Sequence, residues 1–218
     1  MKAFIGLSGG MDSTILLAKL IAEGYAVNAY FFNYGSKHNP REFIAATNVA
    51  KRYGVPLTGV DMRGILATST SGLTSPDIAV PEGHYESESM KANVVPGRNT
   101  LFIATLLSKA QAAGGGKIFL GCHFGDRAIY PDCRREYLVN LREAISYASE
   151  WKVELQFPYV TETKSEMLLK TKDLNIPFHL TSSCYKGGEL PCGKCGACQE
   201  RLEAFRLAGM EDPLEYAK

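Results

Sequence analysis

The sequence predicts an α/β fold in which a doubly wound parallel sheet carries a small cysteine-rich C-terminal extension. Three observations predict it. Short apolar runs alternate with amphipathic stretches between residues 3 and 60. Glycine or a Gly/Pro combination follows each early helical stretch. Four of the six cysteines fall between residues 184 and 198. Strands that alternate with helices pair in parallel, and such a sheet is covered on both faces. Each crossover is expected to be right-handed. The resulting architecture is Rossmann-like. At 218 residues the chain has the size of one domain with an appendage. The expected division is residues 1–182 for the sheet domain and 183–218 for the extension.

Ala3-Phe4-Ile5-Gly6-Leu7 reads as a buried strand, followed by a turn at Ser8-Gly9-Gly10-Met11-Asp12-Ser13. From Thr14 to Glu23, Ile15, Leu16, Ala18, Leu20 and Ile21 share a helical face that Gly24 ends. Ala26 to Phe32 is a second strand. Residues 41 to 53 repeat at helical spacing through Phe43, Ala46, Val49, Ala50 and Tyr53, and stop at Gly54 and Pro56. Leu57 to Val60 is a third strand. Residues 63 to 97 hold many Ser, Thr, Gly and Pro with no strong period; a connection of this length reads as a lid or substrate loop. Asn99 is placed to cap a helix reaching about Ala113. Gly114-Gly115-Gly116 closes that helix, and Lys117 to Cys122 is a fourth strand. A loop from His123 to Cys133, a helix at 134–149, an extended run from Val153 to Phe157 and a helix at 164–174 follow, the last ended by Pro177. A short helix is expected from Gln199 to Leu207.

Composition narrows the function classes. Lys plus Arg is 24 against 23 Asp plus Glu, a formal net charge of +1. A protein that coats a nucleic-acid backbone needs a clear basic excess, so no direct nucleic-acid role is expected. No apolar run approaches the roughly 18 residues of a membrane span. Met1 to Leu7 runs straight into Ser8-Gly9-Gly10 without the pattern of a secretory signal. The expectation is an intracellular protein.

Cys184, Cys192, Cys195 and Cys198 form a Cys-x7-Cys-x2-Cys-x2-Cys array. In a reducing compartment such a cluster is a metal site before it is a disulfide frame. Gly193 and Gly196 supply flexible backbone to the two tight steps. Four thiolates suit tetrahedral Zn²⁺, at about 2.3 Å per Zn–S bond, in a closed structural role. A disulfide pairing and an iron–sulfur cluster use the same residues and are the alternatives. Cys122 and Cys133 stand apart and read as small buried hydrophobes.

The turn Ser8 to Ser13 lies between a strand and a helix. Two glycines permit positive φ and close backbone approach. The helix that follows offers unpaired N–H groups and a partial positive charge, so the turn is a candidate anion cradle with Ser8 and Ser13 as extra donors. It lacks both Gly-x-Gly-x-x-Gly and Gly-Lys-Ser/Thr. The plain alternative is a capped strand-to-helix turn. Asp12 argues for the cradle: beside a phosphate its carboxylate requires a divalent cation, and Mg²⁺ prefers carboxylate and phosphate oxygens.

Further candidates sit where an α/β sheet binds ligands, past the carboxyl ends of its strands. Arg98, in Val94-Val95-Pro96-Gly97-Arg98-Asn99, can grip a phosphate or carboxylate in forked geometry; the alternative is a surface arginine. Asp132, in Tyr130-Pro131-Asp132-Cys133-Arg134, can accept from a guanine-like edge or cap the following helix. Arg134 can hold an anion. Lys37 and His38 reach the same rim, or a solvated loop. Lys164 can neutralise an anionic ligand, or lie on the surface.

Ser8 to Ser13 after a first strand resembles the signature of the PP-loop ATP pyrophosphatases, of the PP-loop/HUP fold type. Taken with Tyr34-Gly35, His38, Val95 to Asn99, Tyr130 to Arg134 and the four terminal cysteines, the chain resembles one branch, the 7-cyano-7-deazaguanine synthases. That resemblance implies conversion of 7-carboxy-7-deazaguanine, ammonia and ATP to the 7-nitrile by adenylation through an amide. It implies that Ser8, Gly9, Gly10, Met11, Asp12 and Ser13 hold the ATP phosphates and Mg²⁺, with Asp12 and Lys164 catalytic. It places Arg98, Asp132 and Arg134 around the deazaguanine, and implies structural Zn²⁺ on Cys184, Cys192, Cys195 and Cys198 and a homodimer. Met11 stands where the branch more usually has Leu. Gly125-Asp126-Arg127-Ala128-Ile129 and Pro40 before Glu42 also depart from its pattern. The alternatives are an enzyme that stops at the amide, a tRNA-thiolating relative, and a zinc-stabilised binding module without catalysis. The near-neutral charge speaks against the tRNA-acting one.

Overall fold

A computed structural model describes residues 1–67 and 70–217. Thr68 and Ser69, in the expected 63–97 loop, and Lys218, at the end of the expected extension, lie outside the described residues.

Ala3, Phe4 and Ile5 have no polar side, so their strand, β1 (Lys2–Gly6), is stable only between two apolar layers. It pairs in parallel with β2 (Ala26–Asn33), Ile5 opposite Ala29, and with β4 (Gly116–Phe119), Phe4 opposite Ile118. β3 (Leu57–Asp61) lies beyond β2, and β5 (Val153–Gln156) beyond β4. All four pairings are parallel, in the order β3-β2-β1-β4-β5. The chain winds outward from β1 to β3, then returns past β1 to build the other half. The carboxyl ends of β1 and β4 therefore flank the point where the winding reverses.

One face of the sheet is covered by α1 (Met11–Ala22) and α2 (Asn39–Tyr53), through Ile15, Leu16, Leu20, Ala46 and Val49. α6 (Lys164–Lys170) and α7 (Gly196–Leu207) join that core through Met167, Leu168, Ala204 and Phe205. The other face carries α4 (Arg98–Ala112) and α5 (Arg135–Ala148), through Ile103, Leu106, Leu138 and Ile145.

Three helices start before the expected residue because polar side chains interrupt the apolar repeat of their first turns, and α7 starts at Gly196, ahead of the expected Gln199. α1 begins at Met11, with extended Gly10 as its cap, so Asp12 and Ser13 are already helical. α2 begins at Asn39 with Pro40 in its first turn, where a missing N–H costs nothing. α4 is capped by left-handed Gly97 (φ 67°), which puts Asn99 inside the first turn rather than at the expected cap position. Helix α6 stops at Lys170, and a 3₁₀ turn covers Lys172–Leu174 of the expected 164–174 helix.

Between β3 and α4 the chain forms the short helix α3 (Arg63–Leu66) and a 3₁₀ segment (Glu88–Asn93). Leu73, Val80 and Val95 share a core with Cys184, Cys195 and Cys198, and Gly83 N–H donates to Lys194 O at 2.9 Å. None of the described residues of 63–97 lines the main cavity. The expected lid is instead a clamp around the cysteine cluster, because its scattered apolar residues are buried there. The C-terminal segment is bound as firmly. Arg201, 1% exposed, donates to both carboxylate oxygens of Asp212 at 2.8 Å and to Thr181 Oγ1 at 2.7 Å.

Candidate active site

The glycine turn sits at the carboxyl end of β1. Gly9 has φ 78°, and a Cβ there would lie 2.7 Å from the Ala45 carbonyl carbon in α2, so only glycine fits. Ser8 Oγ accepts from Gly10 N–H at 3.1 Å and lies 3.2 Å from Ser13 Oγ. Thr14 N–H and Oγ1 both donate to Gly10 O, at 3.1 and 2.8 Å. The turn is thus fixed by its own hydroxyls, while the first N–H groups of α1 have no partner within the helix.

Asp12 projects from that first turn. Its Oδ2 lies 3.2 Å from Lys164 Nζ, and its Oδ1 is buried with no hydrogen-bond partner among the described residues. Lys164, 8% exposed at the start of α6, is anchored by Thr163, whose side chain and Glu166 form a capping box. Its Nζ donates to Glu200 Oε2 at 2.7 Å. Burial works to raise the Asp12 carboxyl, but the Lys164 ammonium, with His123 and Arg201 adding to it, holds the group below the usual carboxylate range. Burial likewise works to discharge Lys164; the carboxylates of Asp12 and Glu200 win and keep it charged.

These groups form one end of an open cavity of about 230 Å³. Its other end is lined by Tyr34, His38, Glu42, Arg98, Tyr130 and Tyr185. Arg98 lies over the rings of Tyr34 and Tyr130, 5.5 and 5.9 Å from their centroids, and its Nη1 donates to Tyr34 OH at 3.4 Å. Among the described residues no carboxylate stands within ion-pair distance of it. Burial, with Arg98 nearby, pushes His38 down to about 4. Burial pushes Glu42 up to about 8, against the pull of Arg98. The two, 3.5 Å apart, form a neutral pair near pH 7. The cavity thus joins the Asp12–Lys164 pair beside the glycine turn to a group of tyrosines around Arg98, whose guanidinium meets no carboxylate among the described residues.

Most expected residues meet in this cavity: Ser8, Gly10, Met11, Asp12, Ser13, His38, Arg98 and Lys164 line it, with Gly9 shaping the turn. Asp132 and Arg134 do not. Asp132 Oδ2 accepts from Asn99 N–H at 3.0 Å and Oδ1 from Asn99 Nδ2 at 3.4 Å, so its carboxylate is spent at the start of α4, not of α5. Arg134 is exposed and donates through Nε to Arg127 O. Lys37 is tied to Ile78 O at 2.6 Å, away from the cavity. Glu42, Asp126, Tyr185 and Glu200 also line it, and no sequence motif marks them as site residues. Cys122 and Cys133, expected as isolated hydrophobes, are buried but adjacent: their sulfurs are 3.2 Å apart and both line the cavity.

The four remaining cysteines converge as expected. Their sulfurs all lie within 4.8 Å of one another. A tetrahedral zinc with 2.3 Å bonds requires about 3.8 Å between sulfurs, and Cys192 and Cys198 stand 4.0 Å apart. Backbone N–H groups of Lys194 and Cys195 point at Cys192 Sγ, and that of Cys192 at Cys184 Sγ, as thiolates require. The donor set is that of a closed, structural zinc site.

No helix among the described residues is long and apolar enough to cross a membrane. Comparison with solved structures finds a chain described as NMN synthetase from Francisella tularensis, with a TM-score of 0.52 and 15% identity over 96% of this chain and 77% of that one. That likeness concerns the fold. Two curated relatives are similar over nearly their full length. The 7-cyano-7-deazaguanine synthase of Methanoregula boonei is 45% identical over 99% of both chains. That of Caldicellulosiruptor bescii is 42% identical over 99% of this chain and 97% of its own. Residues 2–209, a span holding the glycine turn, the cavity and all four clustered cysteines, match the family described as queuosine biosynthesis protein QueC, and the chain belongs to that family.

Proposed function

We propose that this chain is an ATP-dependent ligase that converts 7-carboxy-7-deazaguanine and ammonia to 7-cyano-7-deazaguanine. The observation that carries the reading is a single cavity with Asp12 and Lys164 at a glycine turn and Arg98 in a tyrosine-lined end. It is supported by near-full-length similarity to proteins named for that synthase activity.

A carboxylate is inert to ammonia until one oxygen becomes a leaving group. Attack of the substrate oxygen on the α-phosphorus of ATP forms the acyl adenylate and expels pyrophosphate. Ammonia then displaces AMP to give the amide and a proton. A second adenylation, at the amide oxygen, expels a second pyrophosphate; loss of AMP and a proton leaves the nitrile. The substrate supplies its own nucleophile, so the protein's task is alignment and charge stabilisation.

The turn from Ser8 to Ser13 offers N–H and hydroxyl donors to the departing pyrophosphate. Lys164 adds a buried positive charge to the same end. The unpartnered Asp12 Oδ1 suits Mg²⁺, which would neutralise the triphosphate. Arg98 is the residue for the substrate carboxylate, with the neighbouring tyrosine rings flanking the flat heterocycle. Asp132 and Arg134, expected beside the base, are left to support α4 and the surface.

The test is incubation of purified protein with the carboxy-deazaguanine, ammonium and MgATP, followed by mass spectrometry. The expected product is the nitrile, with AMP and pyrophosphate. Accumulation of the amide alone would replace the reading by the amide-forming one, and absence of pyrophosphate release would end it.

A further inference from the structure

We propose that Glu200 is a positioning residue of the phosphate end of the cavity: carried on the zinc-bound helix, it holds Lys164 so that Asp12 stays available. The inference rests on the reading of the cavity just given.

Glu200 belongs to α7, which has Cys195 as its N-cap and Cys198 in its first turn. The cluster that gathers the four sulfurs thereby sets where α7 begins and which way the residue two positions after Cys198 points. Its side chain is 14% exposed and is held from two directions. Oε2 accepts from Lys164 Nζ at 2.7 Å. Oε1 faces His123 Nε2 at 3.4 Å. His123 Nδ1 accepts from Gly125 N–H at 3.1 Å, which leaves its ring proton on Nε2, toward Glu200. A Cβ on Gly125 would come within 2.8 Å of Glu200 Oε1, so the glycine keeps room for that carboxylate.

Lys164 is shared between two carboxylates, and the sharing is unequal: 2.7 Å to Glu200 and 3.2 Å to Asp12. An ammonium has three N–H groups. With Glu200 as the shorter contact, Lys164 keeps its place when Asp12 turns to a cation, and presents a proton to the phosphates. Without Glu200, Asp12 is the one carboxylate left within ion-pair distance of Lys164 among the described residues. The two then close on each other, and the site loses both its free carboxylate and its free ammonium. A residue of the zinc-binding segment thus keeps a pair in the sheet domain open for nucleotide.

The test compares the parent with Glu200→Ala, Glu200→Gln, Lys164→Ala and the Glu200→Ala/Lys164→Ala double variant. Zinc content is measured by atomic absorption, steady-state rates by pyrophosphate release, and binding of a non-hydrolysable MgATP analogue by calorimetry. We expect Glu200→Ala to retain zinc, to raise KM for ATP about tenfold with kcat changed less than about threefold, and to weaken analogue binding similarly. Glu200→Gln, which keeps an acceptor oxygen for Lys164, restores most of the affinity. In the Lys164→Ala background, removing Glu200 has no further effect. Zinc loss in both Glu200 variants, a KM within twofold of the parent, or multiplying effects in the double variant would each overturn the inference. A parent protein that releases no pyrophosphate defeats the proposed function instead, and the calorimetric cycle still decides the role of Glu200.

Discussion

Asp12 sits where two demands meet: its place in the first turn of α1 aims it at the cavity, and Lys164 keeps it ionised there. Asp12→Ala is expected to abolish AMP formation while zinc content and fold remain, as seen by atomic absorption and circular dichroism. Gly9→Ala is expected to lower both thermal stability and nucleotide affinity, since the new methyl meets the backbone of α2. The paired residues His38 and Glu42 predict a pH effect. Glu42, facing Arg98 and His38, has its folded pKa raised from 4.5 to about 8, so the folded state holds a proton that the unfolded state releases. Its stabilising contribution is full below about 4.5 and is lost as pH rises toward 8. His38, lowered from 6.5 to about 4, acts oppositely, losing stability as pH falls below 6.5. The two offset each other between those values, leaving a fall of roughly 1 to 2 kcal/mol from pH 6.5 to 8 that belongs to Glu42. Urea unfolding across this range should show the fall, and Glu42→Gln should flatten it. Asp12, Arg98 and Lys164 were legible as candidates because their motifs stand next to strand ends or helix starts. Glu42 and Glu200 were not, because each lies inside a helical pattern where a carboxylate ordinarily faces water.

At the scale of elements, the apolar runs mark each strand to within a few residues, whereas several helix starts leave no apolar mark. Apolar periodicity begins only after the polar first turn, so Met11-Asp12-Ser13 and Asn39-Pro40 read as loop. The segment 63–97 reads as a lid or substrate loop from sequence because burial of Leu73, Val80 and Met90 follows no repeat; it depends on contacts with residues far along the chain. Asp132 shows how a motif residue can serve an element rather than a ligand. It bonds the main chain and side chain of Asn99 in the first turn of α4. Asp132→Ala should cost about 1 kcal/mol, the ordinary value for a lost helix cap, visible as a lower urea midpoint at unchanged slope.

For the molecule as a whole, the cysteine cluster ties the C-terminal segment to residues 73–95, and Arg201 ties Asp212 to Thr181 and Phe178. Arg201→Leu leaves Asp212 without its guanidinium and should cost about 3 to 5 kcal/mol by denaturant titration, since one half of a buried pair remains. Removal of zinc by a chelator should lower the thermal midpoint and nucleotide affinity together, because the start of α7 is set by the same sulfurs. The doubly wound topology was legible because each half alternates strand and helix at regular spacing. The way the last segment closes on the first was not, since no local pattern records a contact between residues 12, 164 and 200. The walls of the cavity run from Gly6 to Glu200. A ribosome must therefore extrude almost the entire polypeptide before any nucleotide can be captured, and a fragment lacking its final fifty residues would be inert however well its strands had paired.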